Sequence, residues 1–155
     1  MVGFGYDSHK FKSNGRLLIG GVEISDKIGV IAHSDGDVLL HALIDAMLGA
    51  TGNGDIGSHF PDTDIRFENA DSMTLLQNTL SLIKNFDIIN IDATIILESI
   101  KLAPFKEKIR RKIANVCNID ASLVNIKAKT NEAMGFVGRN EGIVCYCICQ
   151  IEKRK

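Results

Sequence analysis

The stretch Ala32-His33-Ser34-Asp35-Gly36-Asp37-Val38-Leu39-Leu40-His41-Ala42-Leu43-Ile44-Asp45-Ala46-Met47-Leu48-Gly49 changes character in its middle. Polar residues and glycine give way at Val38 to an apolar run interrupted only by His41 and Asp45. Val38, Leu39, Ala42, Leu43, Ala46 and Met47 recur at helical spacing, which predicts a helix over about 36–50 with a buried stripe. Ser34 or Asp35 can cap its start, and Gly49 and Gly52 mark its end. A helix this apolar must be covered by other elements, and the flanking sequence supplies them.

Upstream, residues 2–6 and 16–24 read as two strands joined by a Ser13-Asn14-Gly15 turn. Downstream, residues 51–69 form a long irregular stretch with Gly52, Gly54, Gly57 and Pro61, and a connection that long inside a compact domain points to function. A second helix is expected over about 71–85 with Asp71 or Ser72 as cap, and Ile88–Leu97 reads as a strand rich in β-branched residues. Phe105–Val116, after Pro104, is an amphipathic helix whose outer face carries Lys106, Lys108, Arg110, Arg111 and Lys112. Asn125–Thr130 is a short strand, 131–141 a glycine-containing loop, and Gly142–Ile151 the last strand. The order ββααβαββ predicts an α+β fold, a single mixed β-sheet with helices packed on one face, in one domain over residues 1–155.

Charge and composition exclude several classes. The net charge of −1 argues against nucleic acid as a bulk electrostatic partner. It hides an asymmetry: residues 1–78 hold 5 basic and 11 acidic side chains, residues 79–155 hold 13 basic and 8 acidic. Solvated faces explain this, and so does a division of labour with cation ligands early and anion contacts late. No apolar run approaches the roughly 20 residues that span a bilayer, so no membrane partner is expected. Residues 1–7 lack a basic n-region and an apolar h-region, so the expectation is a cytoplasmic bacterial protein, with a plastid protein freed of its transit peptide as the alternative. Cys145, Cys147 and Cys149 alternate, point to one face of a strand and, with Cys117, read as buried free thiols.

Three of the four histidines lie in unusual company. In Asp7-Ser8-His9 the carboxylate and imidazole project to the same side of a strand. His41 shares a helix face with Asp37 and Asp45. A lone histidine in an apolar helix is commonly a core group, but Asp7, His9 and His41 together are a carboxylate and two imidazoles, the three-ligand set of a catalytic zinc site with one open position. Asp45 is the candidate to orient a ligating imidazole from behind. His33 and Ser34 precede the helix, where free N–H groups attract phosphate oxygens or simply mark an ordinary cap. Gly54-Asp55-Ile56-Gly57 and Phe60-Pro61-Asp62-Thr63-Asp64 suit either polyol contacts or Asx-turns. Lys127-Ala128-Lys129-Thr130-Asn131-Glu132, followed by Gly135, Phe136, Gly138 and Arg139, gathers cations for phosphate and a carboxylate for a hard metal ion. It is neither a P-loop nor a dinucleotide fingerprint.

These segments, in this order, closely resemble the 2-C-methyl-D-erythritol 2,4-cyclodiphosphate synthase family of the non-mevalonate isoprenoid pathway. The resemblance rests on Gly5-Tyr6-Asp7-Ser8-His9, Ile19-Gly20-Gly21-Val22, His33-Ser34-Asp35-Gly36-Asp37, His41 to Ala46, Gly54 to Gly57, Phe60 to Asp64 and Gly135-Phe136-Val137-Gly138-Arg139-Asn140-Glu141-Gly142, and covers essentially the whole chain. It implies a phosphorus–oxygen lyase that closes 4-diphosphocytidyl-2-C-methyl-D-erythritol 2-phosphate into a cyclic diphosphate with release of CMP. By position, Asp7, His9 and His41 match the zinc ligands, Glu132 a magnesium or manganese ligand, and His33 and Thr130 the residues that stabilise the transition state. Substrate contacts would come from Asp7, Ser8, His9, His33, Ser34, Asp55, Ile56, Gly57, Phe60, Pro61, Asp62, Thr63 and Asp64, and from Lys129, Thr130, Asn131, Glu132, Phe136 and Arg139. Leu97, Glu98, Ser99, Ile100, Lys101, Leu102 and Ala103 align with the cytosine-binding stretch.

The resemblance further implies a homotrimer with active sites between subunits. Three positions depart from the family pattern: Ile100 where proline is usual, Tyr6 where phenylalanine is common and Lys129 where threonine is frequent. The competing readings are a zinc-dependent phosphohydrolase acting through an activated water, and a non-catalytic trimer that binds a nucleotide or isoprenoid.

Overall fold

The computed structural model describes residues 1–67 and 69–154. Strands β1 (Val2–Ser13), β2 (Leu17–Ile19), β3 (Val22–Ser25) and β4 (Ile28–Ile31) come first, followed by helix α1 (Val38–Thr51). A one-turn helix α2 (Ile56–His59) and a 3-10 turn at Ile65–Phe67 punctuate the irregular stretch before α3 (Ser72–Leu82). Then come β5 (Phe86–Ile96), α4 (Lys106–Cys117), β6 (Val124–Lys129), the one-turn α5 (Gly135–Gly138) and β7 (Gly142–Lys153). Five strands form one mixed sheet in the order β4-β1-β7-β5-β6, antiparallel throughout except for the parallel β5–β6 pair.

The α+β class and the mixed sheet agree with the expectation, but the start of the chain does not. Residues 2–6 and 16–24 do not form a hairpin: β1 runs on to Ser13 and pairs with β4, Phe11 opposite Val30. Residues 17–25 fold on themselves instead, as a separate two-stranded sheet with Ile19 opposite Val22. Gly20 and Gly21 turn the chain back with φ of 60° and 71°, a region that glycine enters without steric cost. The polar run Asp7-Ser8-His9-Lys10 conceals the second half of β1, because it lacks the apolar alternation that marks a strand.

Helix α1 begins two residues later than the periodicity suggests. Gly36 sits at φ 71° and interrupts any earlier turn, so the cap is Asp37 rather than Ser34 or Asp35. The Asp37 carboxylate accepts the N–H of Leu40 and also those of Gly20 and Gly21, at 2.9 and 2.6 Å, tying the small sheet to the helix start. That fully buried carboxylate is therefore structural.

Ten of the fourteen residues of α1 are buried, so it is a central helix rather than an amphipathic surface one. It lies against β1 so closely that a Cβ on Gly5 would fall 1.8 Å from the Ala42 carbonyl oxygen, and one on Gly3 as near that of Ala46. The covered sheet face presents Ile91, Ala93 and Ile95 from β5 and Cys145, Cys147, Cys149 and Ile151 from β7. These cysteines and Cys117 are unpaired, and burial pushes the Cys117 and Cys149 thiols up to about 12, so they pack as small apolar groups. The opposite face is also apolar yet exposed: Val2, Phe4 and Tyr6 of β1 lie beside Tyr146 and Ile148 of β7. Phe4 and Tyr6 place their rings 6.1 and 5.3 Å from that of Tyr146. Among the described residues no helix is long and apolar enough to cross a membrane.

Candidate active site

β-strand alternation puts Asp7 and His9 on one side of β1, and the close seat of α1 brings His41, one turn inside the helix, down onto them. One Asp7 carboxylate oxygen lies 2.9 Å from His9 Nε2 and 2.9 Å from His41 Nδ1, and the two ring nitrogens are 3.3 Å apart. All three prospective ligand atoms fall within 4.8 Å of one another. The side chains are only 12–23% exposed, so the cluster is shielded but open on one side. Burial works to raise the Asp7 carboxyl, but hydrogen bonds with His41 and His9 outweigh it and hold the group at about 2. Burial lowers His41, and the Asp7 hydrogen bond and charge overcome this and raise it. An oxygen anion between two imidazole nitrogens fits a divalent metal of borderline hardness.

The far side of His41 differs from the expectation. Asp45 does not reach the ring; its carboxylate accepts the Ile56 N–H at 2.7 Å and fastens α2 to α1. The His41 Nε2 lies instead 2.8 Å from Ser72 Oγ, at the start of α3, and 3.1 Å from Ser34 Oγ. Ser72 in turn donates its hydroxyl proton and its backbone N–H to the two oxygens of Asp35. One helical turn separates Asp45 from His41, but on α1 that turn leads toward the loop at residue 56 and not over the ring. The residue that does back the imidazole is 31 positions away in sequence, where it reads only as a helix cap.

A cleft of about 330 Å³ opens beside the cluster, lined by His9, His33, Ser34 and His41 on one side and by Ile56, Gly57, Phe60, Pro61 and Asp62 on the other. Phe67 packs edge-on against Phe60 at 5.4 Å and completes the wall. Asp55 and Asp64 are occupied locally: Asp55 caps α2 through Ser58, and Asp64 holds the Arg66 backbone and guanidinium. The Asx-turn reading thus describes these two carboxylates in the structure. Ser8, His9 and Phe136 line a smaller neighbouring cleft with Lys10 and Glu141. Arg139 is paired with Glu141 at 2.8 Å.

Every residue from Leu97 to Ala103 lines a separate cleft of about 290 Å³, together with Lys106, Ala128, Lys129 and Thr130. Lys101 and Lys129 give it a basic rim, and Lys106, which the sequence assigns only to an outer helix face, adds a third cation. Within this lining the Glu98 carboxylate accepts the N–H groups of Asn131 and Ala133, at 2.9 and 3.1 Å. It thereby braces a turn in which Glu132 and Ala133 both adopt positive φ, 52° and 58°. The Thr130 hydroxyl donates to the Glu132 carboxylate at 3.0 Å, so these two residues form one unit. Ser8, Val144, Ile96 and Lys129 occupy one row across β1, β7, β5 and β6. Three interstrand steps of about 4.8 Å each place the basic cleft about 14 Å along the sheet from the His/Asp cluster.

A shielded acid–imidazole cluster that could hold a divalent metal lies beside a cleft, with a basic pocket at the same end of the sheet. Residues 1–152 match the YgbB family, and the chain belongs to it. It is 52% identical over 154 residues to the 2-C-methyl-D-erythritol 2,4-cyclodiphosphate synthase of Methylobacillus flagellatus, covering 98% of this chain and 96% of that one. Among solved structures it resembles the CDP complex of IspF from Plasmodium falciparum, with a TM-score of 0.87 and 34% identity over 99% of this chain and 96% of that one. It also superposes on the bifunctional IspDF of Campylobacter jejuni with a TM-score of 0.95 and 44% identity, matching 98% of this chain but spanning only 42% of that longer protein. The chain is an enzyme, a lyase acting on phosphorus–oxygen bonds.

Proposed function

We propose that this protein converts 4-diphosphocytidyl-2-C-methyl-D-erythritol 2-phosphate to 2-C-methyl-D-erythritol 2,4-cyclodiphosphate and CMP. The observation that carries the reading is the Asp7–His9–His41 cluster opening into the cleft that holds His33. The names of the relatives and the CDP in a similar solved structure support the same substrate class. An oxygen of the 2-phosphate attacks the β-phosphorus, the bond from that phosphorus to the bridging oxygen breaks, and the electron pair leaves with CMP. No water enters the products.

Such a transfer asks the protein for positioning and charge neutralisation. Zinc on Asp7, His9 and His41, and magnesium or manganese on Glu132, would polarise the phosphate oxygens and reduce repulsion between the two anionic groups. His33 and Thr130 stabilise charge on the phosphorus in flight, and Ser34 and the His33 ring hold phosphate oxygens at the start of α1. Lys101, Lys106 and Lys129 receive the cytidine diphosphate, with the base against the Leu97–Ala103 segment. Gly57, Phe60 and Asp62 close over the erythritol and exclude water, which would otherwise hydrolyse the diphosphate.

The working unit is a homotrimer of single-domain chains. An exposed apolar sheet face, and a basic cleft three strands away from the cluster, both suit a second copy that supplies its nucleotide pocket to the first copy's metals. Phosphorus NMR of the reaction with the cytidyl substrate and divalent metal tests the reading: a cyclic diphosphate appearing with stoichiometric CMP supports it. A linear diphosphate would point to the phosphohydrolase, and CDP affinity without turnover to the binding trimer; either would overturn it.

A further inference from the structure

We propose that Ser72 and Asp35 are positioning residues that fix which nitrogen of His41 faces the metal, an inference that rests on the metal-site reading above. A serine hydroxyl has one proton to donate. Asp35, which also accepts the backbone N–H groups of Ser72 and Asp37 at 3.0 and 3.2 Å, takes that proton, and a carboxylate offers only acceptors. A lone pair of Ser72 Oγ is therefore left facing His41 Nε2 at 2.8 Å. Nε2 must therefore carry a hydrogen whether or not a metal is bound, and the nitrogen left to give up its proton to a metal is Nδ1, which otherwise donates to Asp7 at 2.9 Å and lies 3.3 Å from His9 Nε2.

The direction of the chain Asp35 ← Ser72 ← His41 keeps a proton on Nε2 and so reserves Nδ1, beside Asp7 and His9, as the nitrogen for a metal. Ser72 is fully buried, so bulk water does not compete for the same contact. Ser34 is the lesser partner of Nε2 at 3.1 Å, and it lines the cleft, so its hydroxyl proton stays available there. Metal sites commonly gain their ligand orientation from such outer partners, whose loss costs about 10–100-fold in metal affinity. Asp35, Ser72 and His41 come from the loop before α1, the first residue of α3 and the body of α1, so the relay also fixes how α3 docks beside the site.

The test measures zinc affinity by chelator competition for the parent, Ser72→Ala and Ser72→Thr, with CDP affinity as a control for the fold. The Ala variant should bind zinc about 10–100-fold more weakly with CDP affinity unchanged, and the Thr variant, which keeps the hydroxyl, should recover most of the difference. In the zinc-loaded parent, nitrogen NMR of the His41 ring should show the proton on Nε2. Zinc affinity in Ser72→Ala equal to the parent's, or a proton on Nδ1, would overturn the proposal alone. A parent that binds no zinc would overturn the metal-site reading and this proposal with it.

Discussion

His41 illustrates how much a single side chain can carry. It projects from a largely apolar helix to meet Asp7 and His9, and both of its ring nitrogens are engaged. His41→Ala should remove the metal and most activity while the chain remains folded, because the cluster opens on a cleft and the core around α1 is unchanged. Metal analysis together with circular dichroism checks this, and near-stoichiometric metal in the folded variant would contradict the assignment. Lys101 belongs to the other cleft, and Lys101→Ala should weaken CDP binding about tenfold, or about 1.4 kcal/mol, with metal content unaltered. Titration calorimetry with CDP decides it; equal affinities would remove Lys101 from the nucleotide pocket. Of the departures from the family pattern, Ile100 packs against the core edge, Lys129 lines the basic cleft, and Tyr6 lies on the outer sheet face against Tyr146.

At the scale of elements, the α1–β1 contact sets the site. Asp7 and His41 meet only because no side chain separates the strand from the helix at Gly3 and Gly5. Gly5→Ala would force a methyl group into the Ala42 carbonyl and drive the two elements apart, costing about 3 kcal/mol. Urea unfolding should show that loss, and the metal affinity should fall with it because Gly5 is two residues from Asp7. A variant of unchanged stability would mean that the contact relaxes elsewhere. The basic face of α4 divides at the same scale. Arg110 and Arg111 pair with Glu107 on the helix surface, while Lys106 joins the basic cleft proposed for the nucleotide, so the proposed ligand explains only part of the late positive charge.

For the whole molecule, the sheet has two apolar faces, and the described residues cover only one of them. Val2, Phe4, Tyr6, Tyr146 and Ile148 would make an exposed patch unusual for a monomer. Tyr146→Glu should dissociate the proposed trimer, because a carboxylate placed amid that patch is desolvated without a partner. Sedimentation should then report a monomer that keeps its zinc but loses turnover. A fully active monomer would show that one chain completes its own active site.

The sequence by itself determined a great deal of this: the α1 helix from its periodicity, the β5 strand from its β-branched run, and the grouping of Asp7, His9 and His41 as candidate ligands from their residue types and spacing. The extent of β1 escaped it because Asp7, Ser8, His9 and Lys10 are all polar and break the alternation that reveals a strand. The fold-back at Gly20–Gly21 escaped it because its anchor, Asp37, is 16 residues downstream. Periodicity records only which face of an element is buried. Only the tertiary structure decided which groups meet across elements: Ser72 rather than Asp45 behind His41, Glu98 under the Asn131–Ala133 turn, and Lys106 beside Lys101. Those pairings depend on the angle at which helices dock on the sheet, and that angle follows from packing volumes such as the missing Cβ atoms of Gly3 and Gly5 rather than from local pattern.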